Sequence, residues 1–321
     1  MTQRDTTNDN LNLSRRDAMG RMASGSLAAV FAGSLASTVA ARPQDPRQPA
    51  AGEHEFLFFS KPFQSLSFDE LGELAASTGY TGLEFPVRPG GHIEPEAVEE
   101  QLPKAVDAFR KHGISVSLIS TGINEVSDEQ ATQRVLRTAA ELGIPRFRMA
   151  YYRYDLKQPI APQLKSFAPR LNALIGLADK IGIKPLYQNH SGSRYVGAPV
   201  WDVYSLIAPY SPEKIGLAFD IGHAIVEGTK CWPLHFALVQ DYIDIAYIKD
   251  PSWNADSNSF GWAPLGTGLI PSEYYRMLAK SGFDGPMSIH VEYLDHKDPA
   301  NHGRFRDAIR DDLVALRRLV V

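Results

Sequence analysis

A chain of 321 residues, 44% hydrophobic and 22% charged, can bury one large core, and a formal net charge of −4 leaves no electrostatic footprint for nucleic acid or an anionic membrane. A single cysteine, Cys231, excludes an internal disulfide, so stability rests on core packing, with the thiol expected as buried filler beside Trp232. The balance favours a small polar ligand as partner and no nucleic acid.

At the front, Ser14, Arg15 and Arg16 precede residues 18–40, a run of Ala, Gly, Ser, Val, Leu and Phe with a small-residue exit. A charged start, a modest apolar run and such an exit are the parts of an export signal, and the paired arginines resemble the twin-arginine type. Residues 1–41 are therefore expected to be a signal peptide and the protein to be exported to the periplasm; an uncleaved signal serving as a membrane anchor is the alternative. Gly25, Ser26, Gly33 and Ser34 interrupt the run, so no stable span is expected after signal removal. Residues 42–53, with three prolines, read as a flexible linker.

From residue 54 one grammar repeats: a short strand, a polar loop, a helix. Strands are predicted over 56–61, 81–85, 114–120, 146–151, 184–189, 215–220, 243–250 and 286–292. Helices are predicted over 69–78, 95–112, 128–142, 162–181, 199–208, 271–281 and 301–319, with a short one near Leu234. Ser67 with Glu70 forms a capping box, and Gly79, Gly113, Gly143, Gly182 and Gly282 follow helices where a left-handed cap is wanted. Gly266, Thr267 and Gly268 lack the preceding strand that a phosphate loop needs. Eight strand and helix pairs predict an α/β fold, a (β/α)8 TIM barrel, as a single domain over 54–321.

Side chains alternate faces along a strand, and this sorts the polar residues. Leu217, Phe219 and Ile221 oppose Gly216, Ala218 and Asp220; Leu83 and Phe85 oppose Glu84; Phe147 and Met149 oppose Arg148; Met287, Ile289 and Val291 oppose Ser288, His290 and Glu292. The apolar set suits packing under the helices, and the polar set converges at the carboxyl ends of the strands, where barrel active sites lie. Asp220 also suits the N-cap of a following helical turn. Asp220, His290 and Glu292, with the amide oxygen of Gln188, are donors of the kind that hold Mn²⁺, Co²⁺, Mg²⁺ or Zn²⁺. Such an ion would hold two sugar oxygens and stabilise an enediolate, Glu292 or His290 would move the proton beside the carbonyl, and Lys249 would assist electrostatically. Trp253 and Trp262, after the seventh strand, offer indole faces for a sugar ring.

The stretches GYTGLEF, LYQNHSG, IGLAFDIGHA, IAYIKD, PLGTG and GFDGPMSIHVEY together resemble the sugar phosphate isomerase and epimerase superfamily, the xylose isomerase-like barrels, from about residue 54 to the end. The resemblance implies a metal-assisted isomerase or epimerase acting on a small carbohydrate. It places Gln188 where the family has a metal-binding Glu, followed by Asn189 and His190; it puts the ligand Asp on Asp220 and a substrate-binding His on His223. Tyr247 stands for the family's ligand His ahead of Lys249, and His290 for its last Glu, with Glu292 two residues on. Glu84, Arg148, Asn189, His190, His223 and Trp253 are the expected substrate contacts; Glu292, His290 and Lys249 the expected catalytic groups. Since an amide accepts no proton at neutral pH, the family's two-carboxylate chemistry does not transfer unchanged. Elimination or hydrolysis of a keto-glycoside is the alternative reaction, a sugar-binding barrel without a metal the non-catalytic one, and an oligomer stays open. A nuclease, also found in the superfamily, is disfavoured by the acidic charge.

Overall fold

The computed structural model describes residues 54–320. The expected signal and linker therefore lie outside the described residues. The barrel strands are β1 (Phe56–Phe59), β2 (Gly82–Val87), β3 (Ser115–Thr121), β4 (Arg146–Arg148), β5 (Lys184–Gln188), β6 (Gly216–Asp220), β7 (Ile243–Ile248) and β10 (Met287–Ile289), and β8 (Asp250–Asn254) pairs antiparallel with β9 (Ser259–Ala263) in a separate hairpin. The eight parallel strands close in the order β1-β10-β7-β6-β5-β4-β3-β2, a TIM barrel. The helices are α1 (Phe68–Thr78), α2 (Val98–Lys111), α3 (Thr132–Glu141), α4 (Ile160–Ile181), α5 (Trp201–Ile207), α6 (Ile221–Gly228), α7 (Trp232–Val239), α8 (Ser272–Lys280) and α9 (His302–Leu319). No helix among the described residues is long and apolar enough to cross a membrane.

Local signals set the helix ends. The Ser67 backbone N–H donates to Glu70 at 2.8 Å while Glu70 N–H donates back to Ser67 Oγ at 3.3 Å, and Gly79 closes α1 at φ 91°. Alternation then splits the interior in two. Phe58, Phe85, Phe147, Phe219 and Ile289 belong to the large core under the helices, whereas Leu118, Leu186, Ala218, Ile245 and Tyr247 form a second, smaller buried cluster. Gly216 marks where β6 is tightest, because a Cβ there would lie 2.9 Å from both Asp244 and Leu186.

Three differences from the sequence reading bear on the site. β4 and β10 stop at Arg148 and Ile289; Met149 and His290 each make one more ladder bond, at 2.9 and 3.0 Å, before the chain turns into the mouth. The hairpin β8–β9 stands where a loop was expected, and α6 begins directly on Asp220. Cys231, expected buried, is exposed: it caps α7, and the neighbouring Trp232 fills the core instead.

Candidate active site

The polar strand ends meet at the carboxyl end of the barrel as two linked clusters. The deeper one surrounds Glu84, three residues before β2 ends and wholly buried. Its carboxylate accepts hydrogen bonds from Ser120, from Tyr247 Oη at 2.8 Å, from Ser288 Oγ at 2.9 Å and from His290 Nε2 at 2.8 Å, with Arg148 Nε at 3.6 Å. Burial alone would raise the Glu84 pKa, but His290, Arg148 and Ser120 overcome it and hold it down at about 2. Glu84 is thus an ionised anchor whose lone pairs are spent on the barrel itself. His290 Nδ1 remains buried without a partner.

The second cluster surrounds Lys249, on the residue after β7 and 3% exposed. Its ammonium lies 2.7 Å from His223 Nε2, 3.2 Å from Asp220 Oδ2 and 3.5 Å from Glu292 Oε2, with the Trp262 ring centroid at 4.6 Å. Burial opposes the charge, yet Asp220 and Glu292 outweigh it and raise the lysine pKa. Gly222 permits this packing: a Cβ there would sit 2.5 Å from the Lys249 carbonyl oxygen and 3.0 Å from Trp262. Asp220 caps α6 through Oδ1, which accepts from His223 N–H at 3.0 Å, while Oδ2 accepts from Gln188 Nε2 at 2.8 Å. Asp220 thus caps α6 with one oxygen and faces Lys249 with the other.

Histidine tautomers follow from these contacts. The ammonium donates to His223 Nε2, so His223 carries its proton on Nδ1 and donates to Ser191 Oγ at 2.7 Å. Burial, Lys249 and His190 push the His223 pKa well down, which keeps the ring neutral. His190 donates from Nδ1 to the Ser191 carbonyl at 2.8 Å, leaving Nε2 as an acceptor, and burial followed by Lys249 lowers its pKa too. Glu292 keeps a 38% exposed side chain, and Lys249, His290 and His223 overcome its burial to lower its pKa.

Several expected contacts take other roles. Asn189 spends both amide atoms on the Asp220 backbone, at 2.9 and 2.7 Å, and bridges β5 to β6 instead of facing a ligand. Glu84 and Arg148 are buried supports; Arg148 Nη1 donates to Tyr151 Oη at 3.0 Å, and Tyr151 in turn donates to Gln188. Trp253 lies 49% exposed on the hairpin against Phe260, and Trp262 from the facing strand is the indole at the site. In the PLGTG stretch and just after it, the N–H groups of Gly266, Gly268 and Ile270 donate to the Asp250 carboxylate at 2.8, 3.0 and 2.9 Å and tie the hairpin down. Sequence reasoning missed Tyr151, Ser191 and Tyr195; their aromatic and hydroxyl character beside polar strand ends was the available signal.

The four positions matching the family's metal ligands, Gln188, Asp220, Tyr247 and His290, are paired off. Gln188 bonds Asp220, and Tyr247 and His290 both bond Glu84. A protonated lysine occupies the space between Asp220, His223 and Glu292. Among the described residues no group of three or more His, Cys, Asp or Glu is arranged to hold a metal ion. In this arrangement the donors do not fit a divalent ion, since Asp220, His223 and Glu292 already face the Lys249 ammonium.

The family described as "Xylose isomerase-like TIM barrel" matches residues 73–318, and the chain belongs to it. No curated protein matches significantly. Among solved structures the chain is similar to a xylose isomerase domain protein from Planctomyces limnophilus, at 17% identity over 77% of this chain and 91% of that one, TM-score 0.61. It is likewise similar to the 3-keto-D-glucoside 4-epimerase of E. coli, at 15% identity over 83% of this chain and 100% of that one, TM-score 0.61. A xylose isomerase-like barrel from Mycobacterium smegmatis, solved with magnesium, matches at 14% identity over 85% of this chain and 100% of that one, TM-score 0.62. At these identities the likeness is one of fold.

Proposed function

We propose that this protein is an isomerase- or epimerase-type enzyme that moves a proton on the carbon beside a sugar carbonyl, with the Lys249 ammonium as the cation of its site. The observation that carries the reading is the Lys249–Glu292 pair, a buried ammonium 3.5 Å from a carboxylate that still reaches solvent.

Lysine offers three N–H donors. Two are held at 2.7 and 3.2 Å by His223 and Asp220; the third, towards Glu292, is the loosest. A sugar carbonyl oxygen taking that third donor frees Glu292 to accept the proton from the adjacent carbon. Negative charge then develops on the carbonyl oxygen against a preorganised ammonium, the arrangement that lowers such barriers most. Transfer of the hydroxyl proton on the adjacent carbon to the old carbonyl oxygen, with return of the abstracted proton to the old carbonyl carbon, gives isomerisation. Return of a proton to the opposite face of the same carbon gives epimerisation. Asn189, Gln188 and Tyr151 position Asp220, and Trp262 covers the ammonium. The divalent ion implied by the family resemblance would have to displace Lys249 from Asp220.

Elimination or hydrolysis of a keto-glycoside is the second reading, since it needs the same base and one acid; the cavity described below favours it. Incubation in D2O with ketohexoses and keto-glucosides, followed by proton NMR, tests both. Deuterium entering beside the carbonyl is expected. Sugar binding without exchange or product would instead make this a non-catalytic binding barrel. The periplasmic location is a separate proposal, tested by Arg15→Lys with Arg16→Lys: retention of uncleaved precursor inside the cell supports it, and unchanged export contradicts it.

A further inference from the structure

A cavity of about 460 Å³ opens beside the site, between the loop after β5 and the end of α6. Its walls include Tyr154, Leu156, Ile160, Tyr195 and Ala198, with Glu227 and His235 as polar groups. Two of its apolar residues, Leu156 and Ile160, are 57% and 41% exposed, an unusual expense of apolar surface at one rim. His235 is more than nine-tenths buried, and its Nδ1 has no hydrogen-bond partner.

The cavity and the site share walls. Tyr195 lies 4.5 Å from His190 and 5.0 Å from Tyr151 by ring centroids, so one face of this loop serves each side. Gly192 N–H donates to Glu227 at 2.6 Å, and the preceding Ser191 accepts from His223. α6 starts on Asp220 in the site and ends on Gly228 in the cavity wall. Eight helical residues rise roughly 12 Å, about the reach of a sugar ring plus one further ring.

We infer that this cavity is a subsite for the aglycone of a glycoside, of aromatic character, so that the substrate is a keto-glycoside and not a free monosaccharide. The inference rests on the carbohydrate reading above and names its substrate class. An aromatic ring packs against Leu156, Ile160 and Tyr195. Cavities of this size, mostly apolar with a few placed polar groups, are the usual form of small-molecule sites.

Calorimetric titration of the full chain with the keto forms of methyl glucoside and 4-nitrophenyl glucoside tests the subsite. The 4-nitrophenyl compound is expected to bind at least tenfold more tightly. Two blocks separate this from general stickiness: alkylation of Cys231, the sole cysteine and part of the cavity wall, and Ser193→Trp at its exposed edge. Each is expected to abolish the preference while leaving the methyl compound within about twofold, an effect well under 1 kcal/mol. Equal binding of the two compounds, or a preference that survives both blocks, overturns the subsite alone. Failure of both compounds to bind overturns the carbohydrate reading and the subsite with it.

Discussion

Two carboxylates, Glu84 and Glu292, sit in one barrel with opposite fates. Glu84 lies three residues inside the end of β2, is fully buried and accepts from four side chains. Glu292 lies three residues beyond β10, reaches solvent and has the Lys249 ammonium at 3.5 Å as its ion-pair partner. The depth of a group relative to its strand end decides which carboxylate frames the barrel and which stays open to solvent. The same contrast holds for the basic groups: Arg148 is fixed against Ser120 and Tyr151, while Lys249 keeps one loosely held donor.

The sharpest way to break this contrast is to neutralise each carboxylate in turn. Glu292→Gln is expected to cut proton exchange about 10²- to 10⁴-fold, the usual worth of a general base, with stability changed by less than ~1 kcal/mol. Glu84→Gln is expected to cost about 3–5 kcal/mol of stability, because it leaves buried donors and Arg148 unpaired. Equilibrium urea unfolding and NMR exchange on the same two variants would show whether stability and activity separate so. Equal loss of stability in both would dissolve the distinction.

Acid titration probes the frame more gently. The Glu84 pKa falls from 4.5 unfolded to about 2 folded, so its contribution is fully present above pH 4.5 and fades as pH drops from there towards 2. A shift of that size corresponds to roughly 3 kcal/mol, to be seen as an acid limb in stability that Glu84→Gln flattens. His92 adds an earlier limb: burial lowers its pKa from 6.5 to about 4, so stability falls as pH drops through that window. Gly222→Ala should cost about 1–3 kcal/mol, since the new methyl meets the Lys249 backbone and Trp262. Smallest of all, Trp253→Ala should change turnover less than about twofold, whereas Trp262→Ala should weaken sugar binding by around 1 kcal/mol, the worth of a cation–π or stacking contact.

Strand parity made the barrel legible, because each strand carries large apolar residues on one face and small or polar ones on the other. β6 is the plainest case, with Leu217 and Phe219 in the outer core and Ala218 in the inner cluster. The β8–β9 hairpin was not legible, because DPSWN and SFGWA carry no alternation and Asp250, at the start of β8, is anchored to Gly266 and Gly268, 16 and 18 positions further on. Gln188, Asp220, His223, Lys249, His290 and Glu292 were all picked from strand ends, and the structure brings them together. Their partners were not readable: Asn189 acts on the backbone of a neighbouring strand, and Tyr247 reaches Glu84 across 163 positions. Which tryptophan meets Lys249 depends on hairpin register, which places Trp253 outside and Trp262 inside.

The most direct test of Lys249 as the cation of the site is elemental analysis of the purified full chain, alongside deuterium exchange into a keto-sugar with and without a chelator. The account predicts Mn, Co, Mg and Zn well below one equivalent and exchange that the chelator leaves unchanged. One equivalent of any of these metals, lost together with exchange on chelation, would contradict it.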